Sequence, residues 1–318
     1  MTADQRVNVN ERNFFRCHRA MPMLTGAGTL PIRLSNQLPV PRWFQESTSA
    51  QLQRMQLRQT DVILASWPKS GTHWVHRAIR LLSLGAAHAD NAMVLAEMLP
   101  ATRPDTPLPS TPWNPTGMDS FADLLTREPE HARLIVSHAL PSMLPPLREG
   151  GIGKLVYVAR DPRDVVTSNY FFMGTPKDGW DGSMRRFLAP DAETPNAFGG
   201  WFEHVATFEE EVRALGPKRA CLIEYEAMHS DLPGCLAKLA ALLGPEAEGR
   251  LAKEGDAIMA SLGFDEMKAG ASSHILRKGE AGGWREHFSE EDENALAAAL
   301  AERLPRTPES LAGLGTWR

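Results

Sequence analysis

The chain has 318 residues and a formal net charge of −5, which is length enough for one large α/β domain or two smaller ones. A net acidic chain is a poor general binder of nucleic acid, because affinity for a phosphate backbone needs a positive field. Cys17, Cys221 and Cys235 are odd in number and widely spaced, so they make neither a disulfide framework nor a C-x-x-C pair, and they read as reduced thiols of a cytoplasmic protein.

The opening residues, among them Asp4, Arg6, Asn8, Asn10, Glu11 and Arg12, are polar and of mixed charge, without the apolar stretch of a signal peptide. No segment reaches the roughly 18 uninterrupted apolar residues of a membrane span, so no membrane association is expected. Residues 1–60 read as an irregular, proline-punctuated segment with weak helical patterning at 50–57. Val62-Ile63-Leu64-Ala65 is then an apolar run closed by Ser66-Trp67-Pro68. Trp74, Val75, Ala78, Ile79, Leu81 and Leu82 follow on one helical face. Residues 134–137 and 155–159 are further buried-strand candidates. The second runs into Asp161-Pro162, an N-cap followed by proline at the first helical position. A strand at 220–224 lies between helices at 201–215 and 232–243. Ser289-x-x-Asp292 opens an alanine-rich helix, to about residue 304, with a capping box. Apolar strands alternating with helices predict the α/β class: one domain over residues 1–318, with a central parallel sheet flanked by helices on both faces. The proline-rich stretch 100–117 and the glycine- and charge-rich stretch 174–200 are predicted loops, of the length that usually forms lids or binding loops.

Three stretches carry anion chemistry. Trp67-Pro68-Lys69-Ser70-Gly71-Thr72-His73-Trp74 joins a predicted strand to its helix, where unpaired N–H groups meet the positive end of the helix dipole. Gly71 admits a close phosphate and Lys69 adds a full charge. The order is not that of a Walker A loop, which needs Gly-Lys-[Ser/Thr] with a glycine four residues ahead. A lone Lys-Ser-Gly triplet also fits an ordinary turn with a surface lysine. Residues 156–164 run from strand into helix with Arg160 at the strand end, able to fork two donors onto a phosphate, and with Ser168 two turns on. The plain alternative is that Arg160 pairs with Asp164. Arg277-Lys278-Gly279-Glu280-Ala281-Gly282-Gly283-Trp284 sets two cations beside three glycines, which makes either a second anion-binding concavity or a solvated basic turn.

In this order, and over about residues 60–290, these strings resemble the cytosolic-type sulfotransferases. The first is similar to that family's 5′-phosphosulfate loop, the second to its 3′-phosphate signature and the third to its Arg-Lys-Gly-x-x-Gly-Asp-Trp string. Here His73 stands for a threonine, Trp67 for a tyrosine and Gly283 for the aspartate. The resemblance implies a P-loop-like fold, 3′-phosphoadenosine 5′-phosphosulfate (PAPS) as co-substrate without a metal, and a small-molecule hydroxyl acceptor. It implies Lys69, Ser70, Gly71, Thr72, His73 and Trp74 around the donor's 5′ end, and Arg160, Ser168, Arg277, Lys278 and Gly279 around its 3′-phosphate. Phe264, Met267 and Tyr225 would approach the adenine, with core packing as the alternative. Family members often dimerise through a segment after the tryptophan matching Trp284, with Lys and Thr-Val ahead of a Glu. Arg285, Ser289-Glu290 and Asn294 stand in those places, so any homodimer is expected to use another surface.

Transfer to a hydroxyl needs a base, and a histidine with pKa near neutrality suits that role. The chain has ten histidines, and composition does not choose among them. His138 follows the strand at 134–137, and the C-terminal ends of parallel strands face the ligand crevice. Ser137-His138-Ala139-Leu140-Pro141 is similar to the family's Thr-His-Leu-Pro, whose histidine is the general base. It carries one extra residue, and Val136 stands where the family often has lysine. His73 is the rival candidate. The predicted catalytic pair is therefore His138 with Lys69, the lysine stabilising charge on the leaving group's bridging oxygen. Trp113, Phe171, Phe172 and Trp180 are candidate acceptor walls, compatible with a phenol, a sterol-like alcohol or a cationic alcohol. Two other readings stay open at this point: a P-loop kinase using ATP and Mg²⁺, and a non-catalytic nucleotide binder.

Overall fold

The computed structural model describes residues 46–88, 95–96, 133–148, 151–172, 179–188, 198, 200–269 and 277–304, preceded by the two-residue strands β1 (Ile32–Arg33) and β2 (Pro39–Val40). Most of 1–60, Cys17, the predicted loop at 100–117 and Trp113 lie outside the described residues. In chain order the elements are α1 (Glu46–Arg54), β3 (Val62–Ser66), α2 (Thr72–Leu84), β4 (Leu134–Ser137), β5 (Lys154–Ala159), α3 (Pro162–Phe172) and α4 (Gly179–Leu188). They continue as α5 (Trp201–Leu215), β6 (Ala220–Glu224), α6 (Tyr225–Ser230), α7 (Leu232–Leu243), α8 (Pro245–Ser261), α9 (Phe264–Ala269) and α10 (Glu290–Arg303).

Four strands form a parallel sheet in the order β4-β3-β5-β6. Their side chains alternate between two apolar cores, which is why the strands read as continuous hydrophobic runs. On one face Val62, Leu64, Val156, Val158, Cys221 and Ile223 pack with Val75 and Ile79 of α2, Leu236 and Leu239 of α7 and Ile258 of α8. On the other, Ile63, Ala65, Leu155, Tyr157, Ala220 and Leu222 meet Trp201, Phe202 and Phe208 of α5, with Val165 of α3 and Leu296 of α10. The predicted sheet with helices on both faces is thus the observed one.

β3 comes first of the four in the chain but sits inside the sheet. The chain therefore leaves it toward β4 on one side and returns to β5 on the other. A parallel sheet opens a ligand crevice beyond its carboxyl ends where the strand order reverses. Trp67, His138, Arg160 and Tyr225 each follow directly on the last residue of a strand.

Two departures from the sequence expectation stand out. The stretch read as a loop at 174–200 contains α4, whose helical signal is masked by Gly179 and Gly182, although Gly182, Met184 and Phe187 are buried along it. α8 has only Ala247 and Ile258 buried among its residues, too sparse a pattern to read as an apolar face. At the C-terminus the capping box is present, with Ser289 accepting from Asp292 N–H at 3.1 Å and the Asp292 carboxylate accepting from Ser289 N–H at 3.0 Å. Cys221 and Cys235 are buried free thiols. Among the described residues no helix is long and apolar enough to cross a membrane.

The start of the sheet is fixed by a buried ion pair. Asp61 is fully buried and accepts from Arg58 N–H at 2.6 Å, Arg133 N–H at 3.3 Å and Arg133 Nε at 3.0 Å, while Arg133 Nη2 closes the pair. The same two residues carry the backbone bonds that open the ladder: Val62 N–H to Arg133 O and Lys154 N–H to Asp61 O, both 2.9 Å. Removing one partner strands the other charge in a dry setting. Asp61→Ala is expected to cost ~3–5 kcal/mol in urea unfolding; a loss below ~1 kcal/mol, the level of a surface pair, would contradict this account.

Candidate active site

The β3–α2 loop turns sharply because Lys69 and Gly71 have positive φ, 71° and 98°. For a lysine that conformation is strained, and such strain gathers at functional sites. Gly71 is required by a neighbour as well: a Cβ there would fall 2.4 Å from Tyr225 Cδ2. Beyond it, the first N–H groups of α2 have no intrahelical acceptor, as at any helix start. Ser70 Oγ is buried and makes no hydrogen bond. An orphaned hydroxyl beside these amides fits an anion's oxygen.

Arg160, Asp164, Ser168 and Phe172 are spaced by four residues, so α3 and its entry present them along one stripe. Arg160 donates from Nη1 to Lys69 O and from Nη2 to Glu280 O, both at 3.0 Å, and lies 4.0 Å from the centre of the Tyr225 ring. Its distance to Asp164 is 3.9 Å, so simple pairing with Asp164 is not its main engagement. Arg160 Nε is buried without a partner. Asp164 instead accepts from Gly282 N–H at 2.6 Å and Trp284 N–H at 3.1 Å, holding the C-terminal glycine loop onto α3. A Cβ on Gly283 would lie 3.9 Å from Asp164 Oδ1. Ser168 is partly buried on the same stripe, and the Phe172 ring carries Lys69 Nζ at 4.0 Å.

Arg277 sits over Phe171 at 4.4 Å. Lys278 pairs with exposed Glu286 at 2.7 Å, which holds Glu286 below the usual carboxylate range. Trp284 carries the guanidinium groups of Arg163 and Arg285, at 4.0 and 4.6 Å. Phe264 and Gly279 are in such close contact that a Cβ on the glycine would overlap the ring at 2.0 Å. Trp74, Tyr225 and His229 form a mutually edge-on aromatic group with centroids 4.7–5.7 Å apart, while Met267 is buried. Trp180 ties α4 to α10 through its N–H to Asp292 at 3.1 Å.

His138 is buried at the end of β4. Its Nδ1 lies 2.7 Å from Ser66 O, with Ser66 Oγ at 3.4 Å and bonded in turn to Thr72 Oγ1 at 2.6 Å. A carbonyl oxygen only accepts, so Nδ1 carries the proton and the ring's lone pair lies on Nε2. Burial, only partly offset by the Ser66 carbonyl, lowers its pKa to about 4, with Lys69 acting in the same direction. His73 is lowered to about 3 by burial and then by Lys69 and His138. Burial and the charges of Arg160 and Arg277 lower Lys69 to about 7. Two neutral histidines, the guanidinium groups of Arg160 and Arg277 and a lysine that titrates near neutrality thus share the crevice.

A family model described as the sulfotransferase domain matches residues 59–308. The chain belongs to the sulfotransferase family. This sulfotransferase is 27% identical over 285 residues to mouse sulfotransferase 2B1, covering 84% of this chain and 78% of that protein. It is 30% identical over 190 residues to human sulfotransferase 4A1, covering 59% and 61%. The mouse sulfotransferase SULT7A1, solved in complex with PAP, superposes with TM-score 0.66 at 23% identity, covering 87% of this chain and 94% of that one. Retinol dehydratase, solved with retinol and PAP, gives TM-score 0.60 at 24% identity, covering 86% and 90%. The last two establish the shared P-loop-like α/β fold. Family membership removes the kinase alternative, and sulfuryl transfer is the reaction this sulfotransferase performs.

Sequence reasoning brought together Lys69, Arg160, Arg277 and Tyr225, but missed what Asp164 does. The four-residue spacing from Arg160 through Ser168 was the available signal. Neither His229 nor Glu226, which accepts from Asp161 N–H at 3.0 Å, had one. In this sulfotransferase Asp164→Ala is expected to speed amide exchange at Gly282 and Trp284 ~10–100-fold, because a buried acceptor bond left unmade costs ~1–3 kcal/mol. Unchanged exchange at both amides would show that the loop is held by something else.

Proposed function

We propose that this sulfotransferase moves the sulfuryl group of PAPS to a hydroxyl of a small-molecule acceptor by direct in-line displacement. The observation that carries the proposal is the pairing of an electropositive double loop with a neutral histidine at adjoining strand ends. The N–H groups of Gly71, Thr72 and His73, with Ser70 Oγ, would receive the 5′-phosphate side of the donor. Trp74 lies at the same helix start, beside Tyr225. Arg160, with Ser168 and the Arg277-Lys278-Gly279 loop, would take the 3′-phosphate, and Tyr225, Phe264 and Met267 would border the adenine. The curated relatives are named sulfotransferases and the two solved neighbours hold PAP, which supports this donor.

In the transfer, the acceptor oxygen bonds to sulfur as the bond from sulfur to the bridging oxygen of the 5′-phosphate breaks, and adenosine 3′,5′-bisphosphate leaves. His138 Nε2 takes the acceptor proton, its Nδ1–H remaining on Ser66 O. Lys69 stabilises the charge that develops on the bridging oxygen. Phe172, beside Lys69, would border the acceptor. A reducing cytoplasmic setting belongs to the proposal, in keeping with the buried thiols at Cys221 and Cys235.

The pH dependence tests these roles. Lys69 must be protonated to act, and in the free protein its pKa lies at about 7. Transfer from PAPS measured as kcat/KM for the donor should therefore fall as pH rises above about 7, by about tenfold per unit. A bound polyanion favours the ammonium form and raises that pKa, so kcat should hold to higher pH. His138, at about 4 in the free protein, is already neutral there and gives kcat/KM no acid limb near 6.5. An acid limb in kcat/KM there, or coincident alkaline limbs in kcat and kcat/KM, would contradict the assignment. Absence of acceptor-dependent transfer at every pH would leave a nucleotide binder.

A further inference from the structure

Two buried polar side chains lie beneath the site and take no part in the transfer scheme. His204, in the first turn of α5, and Tyr157, on β5, are both completely buried. Their surroundings are aromatic: Tyr157 stacks on Phe208 at 4.6 Å, and His204 has Phe208 at 4.8 Å and the edge of Trp67 at 5.4 Å. In such a setting each polar atom needs a partner. His204 Nε2 lies 3.1 Å from His138 O, and His204 Nδ1 lies 3.0 Å from Tyr157 Oη.

The direction of this chain is fixed by chemistry. The His138 carbonyl only accepts, so His204 Nε2 carries a proton. A neutral imidazole then has its lone pair on Nδ1, and the Tyr157 hydroxyl donates to it. Burial keeps both groups in those forms, lowering His204 to about 3 and pushing Tyr157 well above its ordinary value. Among the described residues this hydrogen-bond chain ends on the peptide of His138. The next amide is fixed too, since Ala139 N–H donates to Ser137 Oγ at 3.0 Å. With the ring held at Nδ1 by Ser66 O, the histidine is fastened through its backbone and its side chain at once.

We propose that His204, oriented by Tyr157, is a positioning residue for His138, holding its peptide so that the Nε2 lone pair faces the acceptor hydroxyl. The inference rests on the proposed base role of His138. It gives a functional task to a residue that touches neither donor nor acceptor, in the way that outer hydrogen-bond partners orient reactive imidazoles elsewhere. The effect is geometric, and a displacement of about 1 Å at a reacting group is enough for ~10²-fold in rate.

The test compares four single variants and one double variant, each read for kcat, donor KM and affinity for adenosine 3′,5′-bisphosphate. His204→Phe keeps the ring but loses the donor, and kcat should fall ~10–100-fold with KM and bisphosphate affinity within about twofold of wild type. His204→Gln restores an N–H near Nε2 and should recover most of the loss. Tyr157→Phe keeps the stacking and should lower kcat about two- to tenfold, the worth of one hydrogen bond; it decides the matter if His204→Phe does not fold. Because His204 acts through His138, His204→Phe should cost nothing further in a His138→Ala background. Wild-type kcat in both His204→Phe and Tyr157→Phe, with His138→Ala inactive, overturns the positioning role and leaves the base standing. Loss of bisphosphate affinity in step with kcat, without rescue by glutamine, overturns it in favour of a purely structural role. Wild-type kcat in His138→Ala removes the base assignment, and this inference with it.

Discussion

A guanidinium held in a largely dry place has to give its donors to something, and Arg160 gives two of them to backbone carbonyls that the chain places far away in sequence. Lys69 O and Glu280 O are 91 and 120 residues from it, and the Tyr225 ring lies flat beneath its charge. One side chain thereby joins the loops after β3 and β5 and the start of α6 to the C-terminal glycine loop. Without that tie, the strained turn at Lys69 and Gly71 and the loop at 277–284 would be separate surface features. Asp164 completes the arrangement from the next turn of α3, fixing Gly282 and Trp284 by their amides while lying 3.9 Å from Arg160.

Burial first, and then the charges of Arg160 and Arg277, disfavour protonation of Lys69. In a protein whose net charge is −5, this concentration of positive charge is local, and it suits the crevice to a small polyanion. Burial acts oppositely on function at the two key groups. It leaves Lys69 short of a proton until an anion arrives, and it leaves His138 neutral and therefore able to accept one. The proposed donor binding and the proposed base role thus draw on the same dry crevice.

The sheet was legible because each of its strands is buried on both faces, so Val62-Ile63-Leu64-Ala65 and Leu134-Ile135-Val136 appear in sequence as unbroken apolar runs. α5 and α7 were legible as helices flanking the strand at 220–224, and α10 by its capping box. α8 was not, since glycines and glutamates dilute its two buried positions, and α4 was hidden by glycines that the tertiary core nonetheless accepts. In the site, residues at strand ends carried recognisable motifs. What could not be read were interactions with backbone: Asp164 on two amides, Arg160 on two carbonyls and His204 on one. A carbonyl has no side-chain signature, so nothing in the sequence says which polar residue will find it.

The central claim is that Arg160 and the loops it joins recognise a nucleotide by its 3′-phosphate. Calorimetric titration of the wild-type protein and of Arg160→Lys, each with adenosine 3′,5′-bisphosphate and with adenosine 5′-monophosphate, tests it most directly. Lysine keeps the charge but loses the fork that reaches both carbonyls. The account predicts that the wild-type protein prefers the bisphosphate by at least ~10-fold, the scale of one charge-assisted hydrogen-bonded group, and that Arg160→Lys loses most of that preference. Equal affinities for the two nucleotides in the wild-type protein would contradict it.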